Sequence, residues 1–411
     1  MIKDKLGFIG NTTSDPTPVI NKWYTHPVID GKTAVKLSLL AKTGILSGYR
    51  GTPEGHKGGE YVQKLCEYFK DYLGVKYAIA FNSATSALHA ACVACGLEFG
   101  DEVIVSPYTF SSSASCVLMA GGIPIFADID EDIFNIKAET ISPLINERTK
   151  GIIPVHLAGH SCDMDDIMAL AARYRLFVIE DSAQTLGGTY KGDLCGTIGD
   201  VGIFSFNQSK PVSTGEGGMA VTNNPYIARK LMAVMNHGEV SDPEARVVGY
   251  NYRMTEMVAL LALEQMKTLE ERNLVRRGLN EYLAKRISQI EGFHPPVVKK
   301  WAKHVYYTTM LKANWDKLGI TREEFQKGMV QLGGYFGSGY VTPLYLYPIY
   351  TKYAPAQYRF FTPSQEYKEG LCPVTERMWK KELCVTDVLR YPATYDDVDN
   401  IMKMVRRLCN V

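Results

Sequence analysis

No apolar run in this 411-residue sequence is long enough to span a bilayer, and Met1 to Gly10 lacks the apolar stretch of a signal peptide. A cytoplasmic protein is expected. Neither charge is in excess: 45 Lys+Arg stand against 44 Asp+Glu, a formal net charge of +1. Such a balance supplies neither the basic footprint of a nucleic-acid-binding protein nor a polybasic membrane patch. The expected partners are small molecules and a second copy of the chain, with no nucleic acid and no membrane. Repeats and low-complexity segments are lacking too. The nine cysteines form no secreted-type framework. Only Cys92 and Cys95 make a CxxC, inside the helical run Ser86 to Ala94, where two small apolar side chains one turn apart pack in a core. His156, His160 and Cys162 find no second cluster to complete a four-ligand set, so a polar turn and no metal is expected. Gly31-Lys32-Thr33 ends like a phosphate loop, but His26 stands where that pattern needs glycine.

What is present is a chain long enough for two or three domains. From Tyr77 to about Thr222, short apolar strands alternate with helical stretches, the pattern of a mainly parallel sheet with helices on both faces. The strands are expected at Tyr77–Phe81, Val103–Ser106, Ile123–Ala127, Gly151–Val155, Leu176–Glu180, Val201–Phe206 and Met219–Thr222. Helical spacing marks Ala84–Ala94, Ser112–Met119, Met164–Tyr174 and Tyr226–Met235. After Glu256 a long helical run leads into a smaller α+β unit, with a strand at Val305–Leu311 and helices at Arg322–Leu332 and Asp396–Leu408. Residues 333–363, rich in Gly, Tyr and Pro, read as loop near the site. The division is therefore 1–60 as an N-terminal segment able to pack over the site, 61–255 as a large domain, and 256–411 as a linking helix and small domain. Within the first, Gly44 to Gly59 carries six glycines and reads either as a segment that orders over a ligand or as a surface loop.

Four segments at strand ends suit a ring-bearing, phosphorylated aldehyde, and the carboxyl edge of a parallel sheet is where such folds bind ligands. Asn82-Ser83-Ala84-Thr85-Ser86 enters a helix through small residues, whose free N–H groups can bind phosphate; it also reads as an ordinary N-cap. Val178-Ile179-Glu180-Asp181 ends a buried strand in acids, able to pair with a protonated ring nitrogen or to cap a helix. Ile203 to Lys210 runs a strand into a polar turn ending in lysine, followed by Thr214-Gly215-Glu216-Gly217-Gly218. An aldehyde needs an amine on such a rigid turn. Tyr108-Thr109-Phe110 places an aromatic ring at a fourth strand end, for stacking or for core.

Together, "FSFNQSK...TGEGG", "VIEDSAQ", "NSATSAL", "GYNYRMTEMVALLALEQM" and "CPVTERM" resemble the DegT/DnrJ/EryC1/StrS family of sugar aminotransferases, from about Gly59 to the C-terminus. The resemblance implies the aspartate-aminotransferase-like α/β fold (fold type I), with pyridoxal 5'-phosphate as cofactor. It assigns the Schiff base to Lys210, the ring-nitrogen partner to Asp181, a place beside the phenolic oxygen to Gln184 and ring stacking to Phe110. Ser205 and the backbone of Ala84 and Thr85 would hold the phosphate. Asn251 would reach the phosphate of the neighbouring subunit, which implies a homodimer with shared active sites.

The implied reaction moves an amino group from glutamate or glutamine to a keto-sugar, most simply a nucleotide-linked one. Tyr345 stands where the family often has histidine in "PLHLQP", resembles the keto-inositol branch and is expected on the acceptor side. A cyclitol aminotransferase thus stays open as an alternative. So does a sugar dehydratase, although dehydratases of the pyridoxamine-only type carry a histidine at the lysine position. The non-enzymatic alternative is a regulatory protein that binds the cofactor without turnover.

Overall fold

The computed structural model describes residues 29–49, 54–239, 244, 246–352 and 355–410. Residues 1–28 and 50–53 of the N-terminal segment 1–60 lie outside the described residues. In chain order the main elements are α1 (Gly31–Thr43), α2 (Glu60–Leu73), β1 (Tyr77–Phe81), α3 (Ala84–Ala94), β2 (Glu102–Val105), α4 (Ser112–Met119), β3 (Ile123–Phe126), β4 (Thr149–Ile153), α5 (Met164–Tyr174), β5 (Phe177–Asp181), β6 (Val201–Ser205), β7 (Gly218–Thr222) and α6 (Pro225–Met235). Then follow α7 (Glu256–Met266), α8 (Leu269–Ile287), β8 (Phe293–His294), β9 (Thr309–Ala313), α9 (Arg322–Gln331), β10 (Gly337–Ser338), β11 (Leu383–Thr386) and α10 (Tyr395–Cys409).

Seven strands form one sheet in the order β1-β7-β6-β5-β4-β2-β3. Only β7 runs antiparallel to its neighbours. Strands β2, β3, β6 and β7 are buried at every position, the near-continuous apolar type that helices cover on both faces. On one side α2 places Val62, Leu65, Phe69 and Leu73 on a single stripe against Ala259, Ala262, Leu263 and Met266 of α7. Helix α1 lies against α7 in turn. Part of the glycine-rich stretch is pinned there as well, because Leu46 C=O accepts from Glu256 N–H (3.0 Å) and the Glu256 carboxylate accepts from Tyr61 N–H (2.7 Å) at the start of α2. This is the fold type I α/β architecture.

A second, four-stranded antiparallel sheet runs β8-β9-β11-β10. Helices α8, α9 and α10 close its core through Leu279, Leu283, Phe325, Met329, Ile401 and Val405. The capping box of Thr394 with Asp397 starts α10. The strand expected at Val305–Leu311 begins at Thr309 instead. Val305 N–H and Thr308 N–H donate to the carbonyls of Gly159 and Ala158, and Tyr306 takes a φ of 50°, so this stretch turns aside before the ladder starts.

After β10 the chain leaves this second layer and returns to the first. Leu344, Tyr345, Tyr350 and Cys372 join the core that contains Val103, Val117 and Phe126. Side-chain amides and carboxylates fasten the returning segment to the edge of the sheet. Gln365 both accepts from Phe126 N–H (2.7 Å) and donates to Phe126 C=O (2.9 Å), so it pairs with edge strand β3 as another strand would. Asp128 accepts from the N–H groups of Val374 (2.8 Å) and Thr375 (2.9 Å). Glu102 is fully buried. It accepts from Arg148 (2.7 Å), Asn146 (2.7 Å), Ser364 N–H (3.0 Å) and Ser364 Oγ (2.8 Å).

Glu102→Gln removes that charge without changing shape. It is expected to cost about 2 kcal/mol or more, the low end for a buried pair because Arg148 is partly exposed. Thermal unfolding measures the loss, and limited proteolysis should cut the returning segment faster in the variant than in the wild type.

Candidate active site

Strands β1, β5 and β6 all end at one edge of the large sheet, and their ends carry the candidate residues. β5 ends in Asp181, 5% exposed. One carboxylate oxygen accepts from Ser113 Oγ (2.7 Å), which lies 3.1 Å from Thr109 Oγ1, and the other accepts from Ala183 N–H (3.2 Å). Thr109 lies in the bend before α4 and Ser113 in the first turn of that helix, and their hydroxyls meet there. Asp181 is therefore an oriented, buried acceptor.

The preceding residue, Glu180, points to the other side of the strand. Its carboxylate accepts from Gly196 (2.8 Å), Ile198 (2.7 Å) and Gly199 (2.6 Å) N–H, and faces His156 Nε2 at 2.9 Å. His156 Nδ1 accepts from Cys162 N–H (3.0 Å), which leaves the proton on Nε2, toward Glu180. Burial pushes the Glu180 carboxyl up, but His156 and these backbone donors together hold it below its ordinary range. His160 is likewise occupied, by Ser161 C=O (2.7 Å) and Lys299 N–H (3.2 Å). The Cys162 thiol donates to Val155 C=O (3.3 Å), so all three side chains that suggest a metal by sequence are engaged with protein groups.

Strand β6 delivers Ser205 and then the lysine turn. Phe206 and Gln208 N–H donate to Gly217 and Gly215 C=O, and Thr214 N–H returns to Phe206 C=O, each at 2.9 Å. Gln265 of α7 clamps the backbone of Ser213 from behind through both its amide atoms. Lys210 Nζ lies 4.2 Å from the centroid of the Tyr307 ring, whose hydroxyl is 2.9 Å from Ser209 Oγ. A ring face at that distance attracts an ammonium.

Ser205 pairs with Gly218 across the β6–β7 ladder, and Gly218 lies against the start of α3. A Cβ at Gly218 would sit 2.5 Å from Ala84 N. That contact brings Ser205, Ala84 and Thr85 to one spot. The N-cap Ser83 takes the Ser86 N–H (3.1 Å), and the N–H groups of Ala84 and Thr85 have no partner among the described residues. Two free donors at a helix N-terminus suit a phosphate. Gln184 accepts from Ala158 N–H (2.7 Å) and donates to Tyr340 Oη (2.8 Å). Phe110 is 61% exposed, a large ring open to a ligand or a second chain. Asn251 is exposed as well, and its carbonyl accepts from Asn82 Nδ2 (3.4 Å). Thr255, not Asn251, is the N-cap of α7.

Tyr345 requires a correction. It is fully buried, donates its hydroxyl to Glu376, accepts from Cys372 N–H (3.3 Å) and packs beside Phe126. It therefore belongs to the core of the returning segment and does not face an acceptor. Sequence reasoning missed Ser113, Tyr307, Tyr340 and Gln265. Ser113 lies three residues beyond the strand-end segment Tyr108–Phe110 that the sequence marks. Tyr307 and Tyr340 carried none, since they reach the site from the second layer.

The donor set fits pyridoxal phosphate: a buried acceptor for a ring nitrogen, an amine on a clamped turn, and free N–H groups with a glycine approach for a phosphate. A model of the DegT/DnrJ/EryC1/StrS aminotransferase family matches residues 53–405. An uncharacterised protein of Methanocaldococcus jannaschii is 36% identical, over 85% of this chain and 90% of that protein. GDP-perosamine synthase of Caulobacter vibrioides is 38% identical, over 67% of this chain and 75% of that enzyme. The solved structure of an aminotransferase from Psychrobacter cryohalolentis superposes with a TM-score of 0.81 at 30% identity, covering 93% of this chain and 97% of that one.

The buried histidines set an acid limit. Burial lowers the pKa of His160 to about 4, so below pH 6.5 the unfolded chain takes up a proton that the folded chain refuses. Stability should fall as pH drops from about 6.5 to 4, by up to about 3 kcal/mol from this residue. The Glu180 contribution, present above the ordinary glutamate range, is lost at still lower pH. Unfolding midpoints measured across pH 4–8 should show a shallower acid slope in His160→Gln.

Proposed function

The chain belongs to the DegT/DnrJ/EryC1/StrS aminotransferase family, and on that footing we propose that it transfers an amino group from glutamate or glutamine to the keto group of a nucleotide-linked sugar. It is a pyridoxal-phosphate-dependent sugar aminotransferase. The finer reading draws support from the likeness to GDP-perosamine synthase, whose name carries a nucleotide-linked sugar. One observation carries the amino-transfer reading: a lysine turn, a buried aspartate and two free helix N–H groups lie at one sheet edge.

When bound, the cofactor supplies an aldehyde that takes up an amine and a ring that withdraws electrons. In our reading Lys210 makes the covalent link to it. Freed from that link, the Lys210 amine would hold and move the proton at the donor's α-carbon. Asp181, held by Ser113, keeps the ring nitrogen protonated. Ser205 and the N–H groups of Ala84 and Thr85 hold the phosphate, Gln184 approaches the phenolic oxygen, and Phe110 stacks on the ring. Asn251 completes the phosphate site of the partner chain, so each site is built from two chains of a homodimer. With Tyr345 in the core, the cyclitol alternative rests on the motif resemblance alone. Lys210 itself weighs against the pyridoxamine-only dehydratases.

Two experiments test the proposal. Wild-type protein mixed with L-glutamate or L-glutamine should convert its bound cofactor to the pyridoxamine form, seen by absorbance, and a panel of nucleotide-linked keto-sugars should reverse it. Failure with both donors overturns the donor assignment. Lys210→Ala should fold yet carry no borohydride-reducible cofactor. Lys210→Ala and Asn251→Ala chains, each inactive alone, should regain about a quarter of wild-type activity after random subunit exchange, because half the dimers then hold one intact site. No recovery means that Asn251 serves its own chain.

A further inference from the structure

Between the lysine turn, helices α1, α7 and α8 and the last turn before α10 lies a cavity of about 270 Å³. Lys210 and Pro211 line one part, Arg272 and Arg276 of α8 another, and Arg390 comes from the small-domain side. Arg276 is only 7% exposed. Its guanidinium donates to Asn273 Oδ1 (3.2 Å), a neutral acceptor, and no carboxylate among the described residues forms an ion pair with it. The two neighbouring guanidinium groups are engaged with protein acceptors. Arg272 donates to the carbonyls of Gln265 (2.6 Å) and Thr268 (3.4 Å), and Arg390 lies 3.6 Å from Asp387. Burial, then the positive charges of Arg390 and Arg272, push the Arg276 pKa down to about 9.

The acids on the cavity lining do not neutralise this group. Glu264 is held by Lys36 (2.9 Å) and Lys267 (2.7 Å), Asp30 accepts from Thr33 N–H (2.6 Å) as the N-cap of α1, and Glu271 is exposed. Asp387 also attracts the Arg276 charge, but it is paired with Arg390. A buried charge whose hydrogen-bond partner is neutral is costly, and an anion entering the cavity lowers the cost. The cavity is smaller than the usual pocket for drug-sized ligands, which excludes a whole nucleoside diphosphate and admits a small carboxylate. Lys210 lines another part of the same cavity, so a carboxylate held by Arg276 shares the space with the amine on which donor chemistry turns.

We propose that Arg276 anchors a carboxylate of the amino-acid donor in this cavity, beside Lys210. The assignment rests on the reading that the donor is glutamate or glutamine.

The test uses the full-length holoenzyme and glutarate, a dicarboxylate with no amine to react. Calorimetry should find glutarate bound by the wild type. Loss of a charge-assisted contact should weaken it by about tenfold or more in Arg276→Gln and less in Arg276→Lys, which keeps the charge but not the planar fork. For L-glutamate, the rise in KM should exceed the fall in kcat. Arg276→Lys keeps the test valid should Arg276→Gln fail to fold. Equal glutarate affinity in the wild type and the folded variant overturns the assignment, as does no binding to the wild type. Displacement of glutarate by UDP, with UDP binding also weakened by the substitution, overturns it in favour of a phosphate. The absorbance change with L-glutamate or L-glutamine is read separately. If it occurs while glutarate binding ignores Arg276, only the anchor fails; if it does not occur, the donor reading fails.

Discussion

The close approach of Gly218 to the first turn of α3 is the contact on which the site depends. A strand cannot ordinarily touch a helix N-terminus along the backbone, because a Cβ stands between them. Here the missing Cβ lets β7 lie against Ser83 and Ala84, and a side chain would meet the backbone at 2.5 Å. Since Ser205 is the ladder partner of Gly218, the same contact fixes where β6 ends and where the lysine turn begins. The turn from Phe206 to Gly217 joins β6 to the antiparallel β7, is closed by backbone bonds from Phe206 to Gly217 and from Thr214 to Phe206, and is held by Gln265.

The large sheet was legible in the sequence because strands buried on both faces are short apolar runs, and their helices carry one clear stripe. Strand ends agree with the expected positions to within a residue or two at β1, β2, β3 and β5. Lys210, Asp181, Ala84 and Ser205 lie at strand ends, and the structure gathers the last two at one spot. The small layer was less legible. Its ladder begins at Thr309, after Val305 to Thr308 have been drawn to Ala158 and Gly159, and a contact made across so long a stretch leaves no local pattern. Tyr340 and Tyr307 escaped for the same reason. Tyr345 misled in the opposite direction, since a residue type matched to a motif says nothing about the face it occupies.

Around the site, polar groups divide by their partners. Glu180 and His156 face each other away from the candidate ligand side and consume backbone donors that would otherwise be buried unpaired. Asp181, one residue later, turns to the opposite side of the strand and accepts from Ser113 and Ala183. The alternation of a strand thus separates a group that holds the loop Gly196–Gly199 from a group open to chemistry. Tyr340 joins the two layers at this place: its N–H donates to Tyr108 Oη (2.7 Å) and its hydroxyl accepts from Gln184.

The returning segment bears on how the chain matures as it leaves the ribosome. Leu344, Tyr345, Tyr350 and Cys372 belong to the same core as Ile79 and Phe81 of the first strand. About 260 to 290 residues separate those partners, and the first part of the second layer, α8 to β10, is made between them. The first-synthesised layer therefore waits with part of its apolar surface exposed until Cys372 has cleared the exit tunnel. During that interval the nascent chain is a client for chaperones, and a stop codon anywhere before the returning segment leaves a product with an open core rather than a smaller stable protein.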